Sequence, residues 1–186
     1  MNQIWLTSDL HLSHQREFIY RPRGFESVEE MNEQIISRWN TLVKPKDEVY
    51  ILGDVMLGDN AKGMAAIAEL NGRLHLIRGN HDTDTRINLF KDCGQFIEIC
   101  DAKYLKYGKC HFYMTHYPCL TGNLQKESLT QMTLNLHGHT HAQKMFFYDL
   151  PYCYNVGVDA HSCFPVSIDE IIKNMIDKME ECKSFL

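Results

Sequence analysis

The chain has 186 residues, of which 44% are hydrophobic and 23% charged, a composition typical of soluble globular domains. A net charge of −5 without a dense Lys/Arg cluster argues against a nonspecific grip on duplex DNA, and no apolar run approaches the roughly 18–20 residues of a membrane helix. Seven cysteines, never spaced as C-x-x-C, argue against a disulfide framework. We therefore expect one domain over residues 1–186, located in the cytoplasm.

Short strand-like runs alternate with amphipathic segments, which predicts an α/β fold. Ser27–Glu30 and Ser167–Glu170 fit the S-x-x-E capping box, and each precedes an apolar helical face. A shorter helix is expected from Asp59 to Leu70. Because the first half has crossovers for parallel strands and the second is mostly strands, we expect two mostly mixed β-sheets packed face to face and flanked by helices. The predicted strands are 4–8, 48–52, 73–77, 96–100, 110–115, 133–137, 145–148 and 153–158.

Ionisable or amide side chains follow five of these strands, each just beyond an apolar run. Functional sites in α/β sheets form where loops leave the carboxyl ends of strands, so these side chains can converge in space. Taken singly, each group is more often an ordinary turn, a helix cap or a hydrogen-bonded histidine, but their joint occurrence favours one shared site. The groups are Asp9 and His11, Gly53-Asp54, Gly79-Asn80-His81-Asp82, His116, and Gly138-His139-Thr140-His141.

The donor atoms of these groups indicate a metal site. Carboxylate, amide and imidazole donors without thiolate suit Mn, Fe, Zn or Co better than a sulfur-rich structural zinc site would. They are too numerous for one catalytic ion with open positions, whereas two ions that share a bridging carboxylate accommodate them. Paired metals of this kind clamp the attacking and leaving oxygens in phosphoryl transfer. The donor set therefore favours a two-metal site.

These motifs, D-x-H, G-D, G-N-H-D, a lone His and G-H-x-H in this order, resemble the motif set of the calcineurin-like metallophosphoesterase superfamily. Phrases such as RPRGF, LIRGNHD and YNVGVDA resemble a small bacterial and phage subgroup of stand-alone phosphoesterases. The resemblance implies an αββα sandwich that hydrolyses a phosphodiester or phosphomonoester, nucleotide-type substrates included, by attack of a metal-bridging hydroxide. It also implies two divalent ions per chain; manganese is favoured, and Fe, Zn, Ni or Co also fit.

The resemblance assigns roles position by position. One metal would be held by Asp9, His11 and His141, and the second by Asn80, His116 and His139. Asp54 would bridge the two ions. His81 would act as general acid toward the leaving alkoxide, with its ring oriented by Asp82.

Residues that follow the first motif are candidates for substrate contact. His14 and Arg21 are the two that we select, since arginine suits bidentate contact with phosphate, although a solvated basic loop explains the arginines equally well. Four other residues have open roles: Arg16, Arg23, Arg78 and His161.

Two other functions compete with the phosphoesterase. An HD-type phosphohydrolase is suggested by His81-Asp82, but that fold is all-helical and this pair follows a predicted strand. A catalytically inactive scaffold or metal-binding interaction module of the same fold is disfavoured, because such scaffolds usually lack ligands or the acid histidine. We expect a small phosphorylated or nucleotide-type substrate, no strong duplex DNA binding and no membrane; monomer and homo-oligomer both stay open.

Overall fold

The computed structural model describes residues 2–124, 126 and 128–184, which form two β-sheets and their flanking helices. The first sheet has the order β4-β3-β2-β1-β9 and is parallel except for β9. Its strands are β1 (Ile4–Thr7), β2 (Glu48–Ile51), β3 (Arg73–Ile77), β4 (Phe96–Cys100) and β9 (Val166–Ser167). The second sheet has the order β5-β6-β7-β8, an antiparallel hairpin followed by two parallel pairings. Its strands are β5 (Ala102–Tyr107), β6 (Cys110–Thr115), β7 (Thr133–His137) and β8 (Cys153–Asn155).

Five α-helices accompany the sheets in the described ranges: α1 (Glu17–Tyr20), α2 (Val28–Leu42), α3 (Asn60–Ala68), α4 (Asp84–Asp92) and α5 (Ile168–Ser184). In that part of the chain, no helix combines the length and apolar character needed to cross a membrane.

The residues of β2 show how the layers pack, because successive side chains in a strand point to opposite faces. Val49 and Ile51 join one buried core with side chains of α2, α3 and α4. Tyr50 and its neighbour Leu52 join a second core with side chains of β6 and β7. The parallel sheet is thus buried on both faces, between a helical layer and the other sheet. This confirms the expected pair of mixed sheets flanked by helices.

Side-chain caps begin three helices where the sequence predicts them. Ser27 Oγ accepts a hydrogen bond from Glu30 N at 3.1 Å, and Ser167 Oγ accepts one from Glu170 N at 3.2 Å. The Glu30 carboxylate accepts from Glu26 N, not from Ser27 N, so the capping box is shifted by one residue in its second half. Asp59 accepts from two amides of the first turn of α3. These bonds satisfy N–H groups that lack partners within the helix.

Some elements differ from the prediction. The expected strand at 145–148 is wrong: Phe146 forms a single bridge with Tyr154, and a 3-10 turn, Phe147–Asp149, follows it. Tyr148 adopts a φ of 48° there, which ends any extended pairing. The last predicted strand stops at Asn155. Helices α1 and α4 and strands β5 and β9 were not predicted.

Backbone hydrogen bonds join the loops that leave the strands. Asp9 N donates to Gly53 O at 3.0 Å, which ties the loop after β1 to the loop after β2. Gly138 N donates to His116 O at 3.0 Å, which ties the loops after β7 and β6. A parallel bridge between Ser8 and Gly157 connects the two sheets. The polar strand ends of both sheets therefore meet at one edge, as expected.

Candidate metal centre

The first group of predicted ligands consists of Asp9, His11 and His141. His11 Nε2 lies 3.2 Å from His141 Nε2, and Asp9 Oδ1 lies 3.9 Å from the same His141 nitrogen. One donor atom from each residue falls within 4.8 Å of the other two, as a shared ion requires. Asp9 and His11 are each only 1% exposed, whereas the His141 side chain is 36% exposed, so the group has two buried ligands and one at the surface.

The second group consists of Asn80, His116 and His139. Asn80 Oδ1 lies 2.9 Å from His116 Nε2 and 3.0 Å from His139 Nδ1, and these two nitrogens are 3.3 Å apart. The other nitrogen of His116, Nδ1, lies 2.7 Å from Leu52 O and can only donate to that carbonyl. His116 is thereby fixed in the tautomer whose Nε2 lone pair faces the group, the form that binds a metal.

Asp54 stands between the two groups. Its Oδ2 lies 3.7 Å from His11 Nε2 and 3.6 Å from His116 Nε2, so one oxygen faces a ligand of each group at almost equal distance. Its Oδ1 accepts a hydrogen bond from His81 N at 2.8 Å, which holds the carboxylate in this orientation. The side chain is 2% exposed, and its carboxylate lies between the two groups of candidate ligands.

The donors fit a divalent cation on grounds of electrostatics. Within the described ranges, Asp9 Oδ1 is buried and accepts no hydrogen bond, and burial raises the pKa of this carboxyl. Burial, helped by the nearby His141, lowers the pKa of His11 to about 2, which keeps its imidazole neutral. Neutral imidazole and carboxylate are the forms that coordinate metal. A cation would partner the isolated Asp9 oxygen, which is otherwise costly to bury.

Five of the ligands adopt an unusual backbone conformation. Their φ angles are positive, a region that residues other than glycine seldom enter and that costs of order 1–3 kcal/mol for each of them. The residues are Asp9 (58°), His11 (50°), Asp54 (57°), His139 (69°) and His141 (49°). Five of the eleven non-glycine residues with positive φ in the described ranges are therefore candidate ligands.

Glycines of the motifs give the ligands room. A Cβ placed on Gly138 would overlap Ser8 Oγ and Asp9 Oδ2, and one on Gly79 would lie 2.6 Å from Asp54 N. Gly138 is thus required by close approach to Asp9, since its φ lies outside the left-handed range.

Gly138→Ala is expected to lower the stability of the metal-free protein by about 1–3 kcal/mol, because Ser8 and Asp9 must move to admit the methyl group. For a chain of this size, that corresponds to a fall in Tm of roughly 2–12 °C in a thermal melt. Gly122→Ala is the matched control, since a Cβ there meets nothing within 4 Å. Equal melting of both variants and the parent would contradict the prediction.

Asp159 contacts the His141 ring nitrogen that faces away from His11, and Arg23 in turn contacts Asp159. Asp159 Oδ2 lies 2.9 Å from His141 Nδ1, and both Asp159 oxygens accept from Arg23, at 2.9 and 3.0 Å. Burial opposes ionisation of Asp159, but hydrogen bonds from His141 and Arg23 lower its pKa to about 2. Arg23 is 1% exposed and also donates to the carbonyl of Asp9 at 2.8 Å. Arg23 therefore anchors the centre and does not reach toward substrate, and Asp159 sets the ring of His141.

Asp159→Asn is expected to weaken metal binding by about 10- to 100-fold, because the neutral amide no longer stabilises and orients the His141 ring. Titration of the apoprotein with Mn²⁺ by calorimetry measures this change. Asp169→Asn, which removes a carboxylate bound to Tyr107 and Gln3, is the control and should bind as the parent does. An unchanged affinity in Asp159→Asn would exclude the assigned role.

The structure gives Asp82 a different role from the predicted one. Its carboxylate accepts from Asp54 N at 2.9 Å, Gly79 N at 2.8 Å and Val55 N at 3.2 Å. Within the described residues it makes no hydrogen bond to the His81 imidazole, so the expectation that it orients that ring is wrong. Asp82 is buried and instead fixes the loops that carry Asp54 and Asn80.

The remaining predicted residues divide by position. His14, Arg16 and His81 line a pocket beside the first ligand group. Arg21 pairs with Glu26 and lies outside the lining of that pocket. Arg78 turns toward Asp84, and His161 is held against Asn155 O, so neither side chain joins the centre. The apolar residues of the pocket are the parts that the sequence reasoning did not assign to the site.

Similarity to known proteins agrees with this geometry. Residues 3–162 match the model of the calcineurin-like phosphoesterase superfamily domain. An uncharacterized protein of Methanocaldococcus jannaschii is 35% identical over 184 residues, covering 96% of this chain and 93% of that protein. The Gene 66 protein of Mycobacterium phage L5 is 28% identical, covering 76% and 79%. The crystal structure of a protein of unknown function from Aquifex aeolicus matches with a TM-score of 0.73 and 26% identity, covering 93% and 99%. The chain belongs to the calcineurin-like phosphoesterase superfamily.

Proposed function

We propose that this chain is a dinuclear metal-dependent phosphoesterase that hydrolyses a phosphodiester or phosphomonoester, nucleotide-type substrates included. The observation that carries the proposal is Asp54 Oδ2, which lies 3.7 and 3.6 Å from imidazole nitrogens of two separate ligand groups. A lone structural ion needs about four ligands, whereas seven donors in two adjoining groups suit a shared pair. The mixed oxygen and nitrogen donors suit Mn, Fe, Zn or Co, and of these ions we propose Mn²⁺.

Divalent ions held by these residues supply positive charge to the phosphate and acidify a water molecule. Asp9, Asp54 and the imidazoles fix where that charge lies. His81 lies beside the centre, its ring centroid 5.5 Å from that of His11. Its backbone amide donates to Asp54 Oδ1, which fixes the backbone of His81 next to this carboxylate. We assign His81 the proton transfer to the departing alkoxide oxygen.

The proposal is tested by hydrolysis of bis(p-nitrophenyl) phosphate and p-nitrophenyl phosphate by the purified protein, with Mn²⁺ and with other divalent ions. Activity should disappear on chelation with EDTA and return when Mn²⁺ is added back. Activity that survives rigorous chelation would contradict a metal mechanism. Tight metal binding without turnover of any ester would instead support an inactive scaffold.

A further inference from the structure

We propose that the pocket beside the first ligand group holds the nucleoside of a nucleotide substrate, with the base stacked on Phe18. The inference rests on the proposed phosphoesterase function and specifies its substrate class. Phe18 belongs to α1, the short helix in the segment between β1 and α2, and its side chain is 70% exposed.

The pocket is continuous with the metal centre. His11 and His141, ligands of the first group, form part of its lining, and so does His81. Its volume of about 550 Å³ far exceeds what a phosphate group fills and lies within the range of small-molecule sites. A group attached to a phosphate at the metal centre can therefore extend into this pocket.

The outer wall of the pocket is apolar. Phe18, Ile19, Pro22 and Leu57 form this wall. A sugar phosphate or polyphosphate would gain little there, since its hydroxyl and charged groups need polar partners. A nucleobase presents an apolar π-face, and bases stack on exposed aromatic rings with little dependence on sequence.

The rings next to Phe18 lead toward the metal centre. The Phe18 ring meets His14 edge to face, with centroids 5.7 Å apart, and His14 lies 5.4 Å from the ring of His11. Only the His14 imidazole would thus separate a base stacked on Phe18 from the metal ligand His11. The sugar would lie between the base and the phosphate. Arg16, also in the lining, offers donors for acceptor atoms on the base edge.

The nucleoside lies on the leaving-group side, because His81 lines the same pocket. In the reaction, a bond forms between phosphorus and the oxygen of water, and the bond between phosphorus and the nucleoside oxygen breaks. His81 gives its proton to that nucleoside oxygen. The attacking water molecule loses one proton, so the protons gained and lost are equal. The products are the nucleoside and the phosphate or phosphate monoester.

The test compares pairs of substrates that share one ester bond and differ in the base: AMP with ribose 5-phosphate, and the methyl phosphodiesters of the same two compounds. For whichever pair the parent protein hydrolyses with Mn²⁺, kcat/KM for the compound that carries the base should exceed kcat/KM for the ribose compound by about 10- to 100-fold. Phe18→Ala should reduce this preference toward one, whereas Phe18→Trp should retain it. Tyr148→Ala removes another exposed ring, 82% exposed and outside this pocket, and should not alter the preference.

The outcomes separate the inference from the proposed function. If esters are hydrolysed but the base confers no preference, or Phe18→Ala keeps the preference in full, the inference is overturned and the phosphoesterase stands. If no ester is hydrolysed, the proposed function fails, and calorimetric binding of AMP and ribose 5-phosphate to the Mn²⁺-loaded protein decides the inference. Binding that requires the base and is lost in Phe18→Ala supports it; equal binding of both compounds overturns it.

Discussion

Asp54→Asn is expected to lower kcat for Mn²⁺-dependent ester hydrolysis by about 10³-fold, with fewer than two ions bound per chain. The amide is nearly isosteric and can still accept from His81 N through Oδ1, as the carboxylate does at 2.8 Å. The substitution removes the negative charge that faces both His11 and His116. Without that charge, the repulsion between two neighbouring cations would lose its compensation. Metal analysis of the loaded protein and steady-state kinetics measure the two effects.

Asp47→Asn provides the matched control. Asp47 is also a buried aspartate, but it lies just before β2 and bonds to Gln3 N, Trp5 Nε1 and Lys44 N. Its loss should lower Tm without changing metal content or kcat. If Asp54→Asn retained two ions and near-normal turnover, Asp54 would not be the bridge. If Asp47→Asn lost activity to the same extent, the effect would reflect general damage to the fold.

His81→Ala is expected to slow the hydrolysis of alkyl phosphate esters by about 10²- to 10⁴-fold while both ions stay bound. The bond that holds Asp54 comes from the His81 backbone, which alanine keeps, and the carbonyl that accepts from Arg86 also remains. The loss should be much smaller for p-nitrophenyl esters, because nitrophenolate departs without a proton. The ratio of rates for the two leaving groups, measured in parent and variant, isolates the proton transfer.

The control for His81 is His111→Ala, which removes an imidazole on β6 that bonds to Tyr104 away from the centre. This variant should behave as the parent does with both kinds of ester. Release of metal from His81→Ala would assign His81 to metal binding, and an equal loss for alkyl and nitrophenyl esters would remove its role as acid.

The grouping of the candidate ligands was predictable because these residues follow a local rule. Each of Asp9, Asp54 and His116 lies within three residues of the end of an apolar strand, and parallel strands deliver their carboxyl ends to one edge. The two mixed β-sheets were predictable from the same apolar strand segments. The hairpin strand β5, Ala102–Tyr107, was missed because Lys103 and Lys106, three residues apart, break the alternation of apolar and polar residues that indicates a strand.

The supporting contacts were not predictable, since sequence neighbours need not touch. Asp82 adjoins His81 in the chain, yet its carboxylate turns inward to the amides of Asp54, Val55 and Gly79. Arg23 and Asp159 are 136 residues apart and meet only through tertiary folding. Periodicity gives the face of a strand or helix, but it does not specify which distant side chain lies opposite in a loop.

Five candidate ligands have positive φ angles, and this backbone conformation affects how the protein would respond to selection. Glycine adopts φ angles of 49–69° without strain, so glycine at Asp9, His11, Asp54, His139 or His141 relieves the backbone of the metal-free chain. At Asp9 and Asp54, such a change also removes a buried carboxylate from the centre. Selection for heat resistance in the absence of metal would therefore favour loss of the ligands, and robust variants obtained in this way would be inert. Directed evolution of this scaffold needs metal, and a functional readout, in every round.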